Sequence, residues 1–307
     1  MSEYLSFRAS LSEAGLRLDI FLSEKTDLSR SQIKKLIENE KVKVNKKSKK
    51  PGYIIKENDL IEIEIPPPEE NKIEPQPIPL NIIYEDNEII LINKPAGMVV
   101  HPGAGVKEGT LVNALLFYFP EIKGVGSEKR PGIVHRLDKE TSGLMVIAKN
   151  NKSYLELQRQ FKERIVEKKY LTLVKGKMPS KEGKIEIPIG RHIKERKKIS
   201  VRTTKPKEAI TYYKVIEEFK DFSYLEVKPI TGRTHQIRVH LSSSGHPVAG
   251  DKKYGGYNLK IKYPRLFLHA FYLSFIHPTM NKRMEFSIPL PDDLNDYLKK
   301  LRSIRKD

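Results

Sequence analysis

The chain has 307 residues, of which 57 are Lys or Arg and 39 are Asp or Glu, so its formal net charge is +18 at pH 7. The 38% hydrophobic content can form a buried core and argues against extensive disorder. The absence of cysteine excludes disulfides, thiolate metal sites and cysteine nucleophiles. No apolar run reaches the roughly 18 residues of a membrane helix, and no signal segment leads the sequence. We therefore expect a cytoplasmic protein that binds a polyanion and no membrane.

The basic residues are concentrated in three segments. Residues 41–50 contain six lysines and no acid, residues 191–207 contain eight basic residues and one acid, and the last ten residues are basic again. Any one of these segments could be an ordinary solvated face. Three of them together favour a surface that follows a phosphate backbone.

Residues 1–65 predict a small domain of two helices followed by two strands. The apolar spacing within 16–22 and 33–37 indicates the helices, and Ser29 with Gln32 forms the S-x-x-Q pattern of a capping box. V-K-V-N and D-L-I-E-I-E-I alternate as strands. This ααββ arrangement, with Arg30 and Lys34 facing outward, is typical of a compact RNA-binding domain. Six prolines within residues 66–79 then predict a semi-rigid linker.

Residues 80–307 predict a second, larger domain. Strand and helix patterns alternate irregularly, with few helices that could connect parallel strands. We therefore expect an α+β fold with a mixed, largely antiparallel sheet, and not a doubly wound fold. The predicted strands lie at 88–94, 144–150, 169–176, 211–215 and 223–230, and the predicted helices at 110–120, 152–165 and 233–245.

Several familiar catalytic patterns are missing. The chain has no G-x-x-x-x-G-K-[ST] loop, no H-E-x-x-H pair and no G-x-S-x-G elbow. The sequence thus gives no support for nucleotide hydrolysis, for metal catalysis or for a serine nucleophile of that type. We expect neither a metal nor a nucleotide cofactor.

The segment 130–150 contains the densest set of candidate catalytic side chains. If it is extended, Arg136 and Asp138 point to the same side, and a carboxylate between two cations stays ionised. Such a carboxylate can act as a nucleophile or a base but not as an acid. The alternative is structural: Asp138 would cap the turn and Arg136 would pair with it.

A second candidate segment, 229–241, contains Arg233 and Arg238. Five residues separate them, so they do not share a helix face and are expected to have different partners. One could bind a phosphate and the other a buried carboxylate, or each could be an ordinary surface arginine. Tyr170, from local pattern alone, is a half-buried strand tyrosine.

These segments together resemble the pseudouridine synthases of the ribosomal large-subunit class, in their D-type branch. Residues 1–65 resemble the small RNA-binding domain first seen in the fourth protein of the small ribosomal subunit (S4-like). The resemblance implies a pseudouridine synthase fold that isomerises uridines of large-subunit ribosomal RNA without cofactor or metal. It is carried by N-K-P-A-G-M-V-V-H-P-G-A-G (93–105), G-I-V-H-R-L-D-K-E-T-S-G (132–143), E-K-K-Y (167–170), G-R-T-H-Q-I-R-V-H-L (232–241) and H-P-V-A-G-D-K-K-Y-G-G (246–256).

The resemblance also implies roles for individual residues. Asp138 would be the essential catalytic residue, attacking C1′ of the ribose or abstracting a ribose proton. Arg238 would be its counterion, and Tyr170 would stack on the target base. Arg136 would help displace the flipped nucleotide. The residues assigned to RNA binding are Arg136, His135, Arg233, Arg30, Lys34 and Lys43.

Two other functions are compatible with parts of this pattern. A non-catalytic RNA-binding or ribosome-assembly factor could use the same scaffold, but it would have no need of Asp138, Tyr170 and Arg238 together. A hydrolase that uses His135 would lose activity on His135→Ala and keep it on Asp138→Ala. The sequence favours the isomerase.

Overall fold

A computed structural model describes residues 2–66, 73–103, 105–195, 198–255 and 265–304. Of residue 304 it describes the backbone only. The chain divides into two compact units, Met1–Lys72 and Ile73–Asp307. The division falls within the proline-rich segment predicted as a linker. Of that segment, residues 67–72 lie outside the described residues, as do Arg196 and Lys197 of the second basic segment and residues 305–307 of the third.

The first unit is a four-stranded antiparallel sheet with two helices. Helix α2 (Arg30–Glu38) begins with the predicted capping box, in which the Ser29 amide donates to the Gln32 side chain (2.9 Å). Its apolar face, with Ile33 and Ile37, packs into a core that includes Phe21 of α1 (Leu18–Lys25). The elements are β1 Glu3–Arg8, α1 Leu18–Lys25, α2 Arg30–Glu38, β2 Val42–Val44, β3 Lys47–Ser48 and β4 Leu60–Ile65, after a short 3₁₀ turn at Leu11–Glu13.

The predicted ααββ order is incomplete. The sheet order is β1-β4-β2-β3, so a strand before the first helix closes one edge and a two-residue strand closes the other. In β1, Leu5 and Phe7 turn toward the core, while Tyr4 is 73% exposed. Because the exposed aromatic residue Tyr4 stands next to Leu5, the alternation of this strand is weak in the sequence.

The second unit has one large sheet with helices and two short hairpins. The predicted helices and strands of this part are all present, with bounds within a few residues of those expected. The elements are β5 Ile82–Glu85, β6 Ile89–Lys94, α3 Leu111–Tyr118, β7 Gly126–Ser127, β8 Arg130–Pro131, β9 Ser142–Ala148, α4 Asn151–Lys162, β10 Glu167–Lys175, β11 Glu182–Glu186, β12 Gly190–Arg191, β13 Ile199–Ser200, β14 Ile210–Glu218, β15 Phe222–Pro229, α5 Gln236–Ser243, β16 Leu268–Ile276, β17 Arg283–Ser287 and α6 Asp292–Ile304, with a 3₁₀ turn at Pro120–Ile122.

The large sheet has nine strands within the described residues. Its order is β11-β14-β15-β10-β16-β9-β6-β5, and β17 pairs with the second half of β16. Within the described residues, β16 and β9 alone run parallel, through His269–Ser142 and Ala270–Gly143, and the other ladders of this sheet are antiparallel. The predicted α+β class with a mixed, largely antiparallel sheet is confirmed.

Strand β9 is central and buried on both faces. All seven of its residues are buried, which explains its continuous apolar sequence without alternation. Gly143 is needed where β9 meets β16, because a Cβ there would overlap the backbone of Ala270. The T-S-G sequence therefore allows β9, and the turn before it, to lie directly against β16.

The second unit begins before residue 80, the start that the sequence predicts. The Asn113 side chain of α3 donates to the Glu74 carbonyl (2.7 Å), and the Gln76 amide donates to the Asn113 carbonyl (2.9 Å). Residues 73–79 are thus bound to this unit. No helix in the described ranges combines the length and hydropathy needed to cross a bilayer.

Candidate active site

Asp138 lies in the turn that leads into β9. The Thr141 amide donates to the Asp138 carbonyl (3.1 Å), which closes the turn just before the strand begins at Ser142. The carboxylate lies four residues before this buried strand, and its side chain is 17% exposed. The turn and the strand that follows it therefore hold the backbone of Asp138, while the carboxylate reaches the cavity.

Arg238, from the buried helix α5, binds this carboxylate. Its Nη1 donates to Asp138 Oδ2 at 2.9 Å, although 100 residues separate the two in sequence. The same guanidinium donates from Nε and Nη2 to both carboxylate oxygens of Asp251, at 2.7 and 2.9 Å. Asp251 is fully buried. Burial opposes the charge of Arg238, but the hydrogen bonds and charges of the two aspartates raise its pKa above the usual value.

Asp251 fixes the direction of this guanidinium. Its Oδ1 also accepts from the backbone amides of Lys253 and Tyr254, at 2.9 and 3.1 Å. The ring of Tyr254 lies 5.1 Å from the guanidinium carbon. With one edge bound to Asp251 and the Tyr254 ring beside its plane, the guanidinium of Arg238 is held so that Nη1 donates to Asp138.

His235 lies beside the same carboxylate. It is the residue before α5 and has a left-handed backbone (φ 55°), with its Nε2 3.8 Å from Asp138 Oδ2. Its Nδ1 is 2.8 Å from the Tyr254 hydroxyl. Burial lowers the pKa of His235 to about 4. The negative charge of Asp138 raises this pKa, while the positive charge of Arg238 lowers it. The imidazole is therefore neutral near pH 7 and does not neutralise Asp138.

Tyr170 reaches the cavity from β10. The pairing of β10 with β16 shifts register between Lys169 and Tyr170, a β-bulge that redirects the side chain. Burial, with a smaller effect of the Asp138 charge, raises the pKa of Tyr170 well above its usual value. The ring is therefore a neutral phenol that can stack on a base and donate a hydrogen bond.

A buried lysine donates hydrogen bonds to the turn that contains Asp138. Lys94 is fully buried, and its ammonium donates to the carbonyls of Pro95 (2.7 Å), Met98 (2.9 Å) and Lys139 (3.3 Å). Burial lowers the pKa of Lys94 to about 7, although the charge of Asp138 opposes this. Lys94 ties the loop after β6 to the turn that carries Asp138.

These side chains surround a cavity of about 610 Å³, a size usual for small-ligand sites. Asp138, Tyr170 and Arg238 line it, as do the assigned RNA contacts Arg136, His135 and Arg233. The cavity therefore brings together six of the nine predicted site residues. The other three, Arg30, Lys34 and Lys43, belong to the first unit.

The three residues of the cavity that are predicted to contact RNA differ in their contacts within the protein. Arg136 is exposed and has no ion pair among the described residues. Arg233 is exposed, and its Nε donates to the Glu208 carbonyl (3.1 Å). His135 is engaged by the fold: its Nε2 accepts from the Val146 amide (3.1 Å), and its ring stacks on Phe161 at 4.6 Å. Burial lowers the pKa of His135 to about 3. Its assignment to RNA binding stays a prediction.

In the first unit, Arg30 donates from Nε to the buried Asp19 (2.8 Å). Lys34 lies 3.6 Å from Glu38, and both side chains are more than half exposed. Lys43 is exposed on β2. Among the described residues of the chain, no three His, Asp or Glu side chains come together in a group that could hold a metal ion.

Residues 88–243, half of the chain, match the family described as RNA pseudouridylate synthase, and residues 16–61 match the S4 domain. The chain belongs to the RNA pseudouridylate synthase family. It is an RNA pseudouridine synthase with an S4 domain, and the resemblance found in its motifs is confirmed.

Relatives match this synthase over nearly its whole length. A protein of Aquifex aeolicus named as an uncharacterized RNA pseudouridine synthase is 45% identical over 95% of both chains. The ribosomal large subunit pseudouridine synthase D of Blochmanniella floridana is 44% identical, over 92% of this chain and 93% of its own. The solved structure of human RNA pseudouridylate synthase domain containing 1 is 30% identical with a TM-score of 0.57, covering 73% of this chain and 95% of its own.

Sequence reasoning missed three groups that complete the synthase site. Asp251 and Tyr254 were part of the motif 246–256 and His235 was part of the motif 232–241, but none of the three was predicted as a site residue. Asp251 could have been suspected as a carboxylate inside an otherwise small and apolar sequence, P-V-A-G-D. Nothing local distinguishes His235 or Tyr254, since their importance depends on neighbours from other segments.

Proposed function

We propose that this synthase converts uridine to pseudouridine in large-subunit ribosomal RNA, in the cytoplasm, and that Asp138 is the group that reacts with the nucleotide. The observation that carries the proposal is the carboxylate of Asp138 held 2.9 Å from Arg238 at the wall of the cavity. The substrate is supported by relatives named as ribosomal large subunit pseudouridine synthase D, which are 39–44% identical over most of the chain.

The proposed reaction is an isomerisation in which no electrons are gained or lost. The bond from uracil N1 to ribose C1′ breaks, and a bond from C5 to C1′ forms after the base turns. The hydrogen on C5 leaves to water, and N1 takes up a proton. Asp138 starts the reaction, either at C1′ or at a ribose proton. Both routes require an ionised carboxylate close to the sugar, and no oxidant or reductant.

The neighbouring side chains support this chemistry in different ways. Arg238 offsets the charge of Asp138 inside a partly dry cavity and holds its orientation. Tyr170 offers a ring on which the detached uracil can stack while it turns. Arg136, exposed at the cavity and without an ion pair among the described residues, is free to occupy the space left in the RNA stack. Extruding a nucleotide costs a few kcal/mol, which stacking and such intrusion offset.

The reaction and its substrate are tested by tritium release from RNA labelled at uridine C5. We expect release from large-subunit ribosomal RNA and little from small-subunit ribosomal RNA or transfer RNA. Forming the new carbon–carbon bond expels this hydrogen, so release reports isomerisation itself. Release from transfer RNA alone would overturn the proposed substrate. No release from any of the three RNAs would overturn the reaction.

We further propose that the first unit adds affinity for RNA through its basic residues Arg30, Lys34 and Lys43. Arg30 is unsuitable for a test because it also binds the buried Asp19. The double variant Lys34→Glu with Lys43→Glu should raise KM about 10-fold and leave kcat unchanged. It removes the proposed contacts with RNA phosphates and no group that takes part in the reaction.

The matched control for these lysines is Arg8→Glu with Lys56→Glu, an equal change of charge on exposed residues of the same unit. We expect its KM to stay within threefold of wild type. A common rise in KM for both double variants would indicate only a net-charge effect, and a fall in kcat would contradict a purely binding role.

A further inference from the structure

A second, smaller cavity of about 320 Å³ adjoins the first. The two share the lining residues Arg164, Lys168, Pro229 and Ile230, so they lie side by side on the same unit. The lining of the second cavity also includes Lys228 and Arg283. Cationic side chains therefore continue from the first cavity into the second.

Most of these cations already have partners. Lys228 lies 2.7 Å from Glu167, and Arg164 donates to Glu208 at 2.7 Å. Arg283 donates from Nη1 to the Ser274 hydroxyl (3.1 Å). Their charges are thus used within the protein.

Lys168 differs from its neighbours. Lys169, the next residue, has Glu167 and Glu226 within 4 Å. Lys168 is partly buried, and no described residue gives its ammonium a carboxylate or a hydrogen-bond acceptor. Its Nζ lies 5.6 Å from the Phe161 ring centre and 3.8 Å from where a Cβ of Gly232 would be. Burial lowers the pKa of Lys168 to about 8.

A partly buried ammonium without an acceptor destabilises the free protein, because the cation–π contact with Phe161 compensates its desolvation only in part. A bound anion would supply the compensation. The substrate is RNA, whose only anionic groups are its phosphodiesters. Lys168 stands where the two cavities meet, which is where the RNA strand would pass if the uracil occupies the first cavity with Asp138 and Tyr170.

We propose that Lys168 binds a phosphodiester next to the uridine that is isomerised, at the junction of the two cavities. The inference rests on the proposed function, since it takes the first cavity as the site of the target nucleotide. It assigns Lys168 to positioning of the RNA and not to the reacting atoms. Lys168 holds the strand so that the ribose faces Asp138.

The test uses Lys168→Met with a stem-loop of large-subunit ribosomal RNA that the wild-type enzyme modifies. Single methylphosphonates replace, one at a time, the phosphates on either side of the target uridine. In wild type, one of these neutral linkages should raise KM about 10-fold or more, because a charge-assisted hydrogen bond is lost. Lys168→Met should raise KM by a similar factor on unmodified RNA, with kcat within threefold of wild type.

The deciding result is non-additivity. At the phosphate that Lys168 binds, the methylphosphonate should not raise the KM of Lys168→Met any further. At the other positions, it should change the KM of both enzymes by the same factor. Lys168→Arg should restore most of the affinity, and Lys169→Met, the matched control, should behave as wild type. Thermal melting establishes that each variant is folded.

Additive losses at every phosphate would overturn the proposal. So would a fall in kcat at unchanged KM, which would place Lys168 at the base or sugar. Failure of the proposed function is recognised separately, because wild type would then release no tritium from unmodified RNA. Affinities of the same stem-loops, measured by fluorescence anisotropy, would still show whether Lys168 and one phosphate are coupled.

Discussion

Asp138→Asn is expected to reduce tritium release by on the order of 10⁴-fold or more, the scale of loss when the reacting group of an enzyme is removed. An asparagine amide neither attacks C1′ effectively nor accepts a ribose proton. It can still accept the hydrogen bond from Arg238, and Arg238 keeps both bonds to Asp251. The variant should therefore fold and bind RNA as wild type does.

The control is Asp221→Asn, the same chemical change at an exposed aspartate. It should keep wild-type activity. Single-turnover release and RNA affinity are measured for both variants, together with thermal melting. Release by Asp138→Asn within 10-fold of wild type would remove Asp138 from the chemistry. Loss of RNA binding together with loss of release would leave its catalytic role without support.

The second large effect is expected at Asp251, which we propose is a positioning residue. Asp251→Asn keeps Oδ1 as acceptor for the amides of Lys253 and Tyr254 but presents an amide donor to Arg238. The guanidinium then loses its fixed direction, and Asp138 loses a well-placed counterion. We expect kcat to fall about 100-fold, as small misplacements in active sites do, with little change in KM. Breaking this buried pair should also cost about 3 kcal/mol of stability.

The double variant Arg238→Met with Asp251→Asn separates the two effects. It removes the guanidinium together with the negative charge of Asp251, and Asp138 then loses its hydrogen-bonded cation. We expect it to melt at a lower temperature than Asp251→Asn and to be less active, because the single variant keeps the pair between Arg238 and Asp138 while the double variant leaves a partly buried carboxylate without a counterion. A double variant that melts at or above the temperature of the single one would show that the pair between Arg238 and Asp138 serves orientation and not stability.

The local patterns predicted about half of the helices and strands in the described residues, those that depend on a short stretch of sequence. The continuous apolar run of β9 and the capping box at Ser29 are examples. Strand β1 was missed because it is largely exposed and its alternation is weak. The place of β16 between β9 and β10 depends on long-range pairing, for which the segment 268–276 carries no distinguishing pattern.

The same distinction holds for the candidate site. The motifs drew attention to Asp138 and Arg238, and the structure brings the two within hydrogen-bond distance. The bond between Arg238 and Asp251 could not be read from either residue's own segment. Lys168 and Lys169 are adjacent lysines in E-K-K-Y, and only the three-dimensional surroundings show that Lys169 has two carboxylates nearby while Lys168 has none among the described residues.

The central position of β16 governs when the enzyme can become active during its synthesis. Asp138 stands before β9 on one side of this strand, while Tyr170 on β10 and Arg238 on α5 belong to the other side. Until β16 is inserted, nothing in the sheet joins the two halves of the site. We therefore expect that a nascent chain must emerge from the ribosome to beyond residue 276 before Asp138 and Tyr170 can line the same cavity. Chains that end before β16 are expected to be inactive.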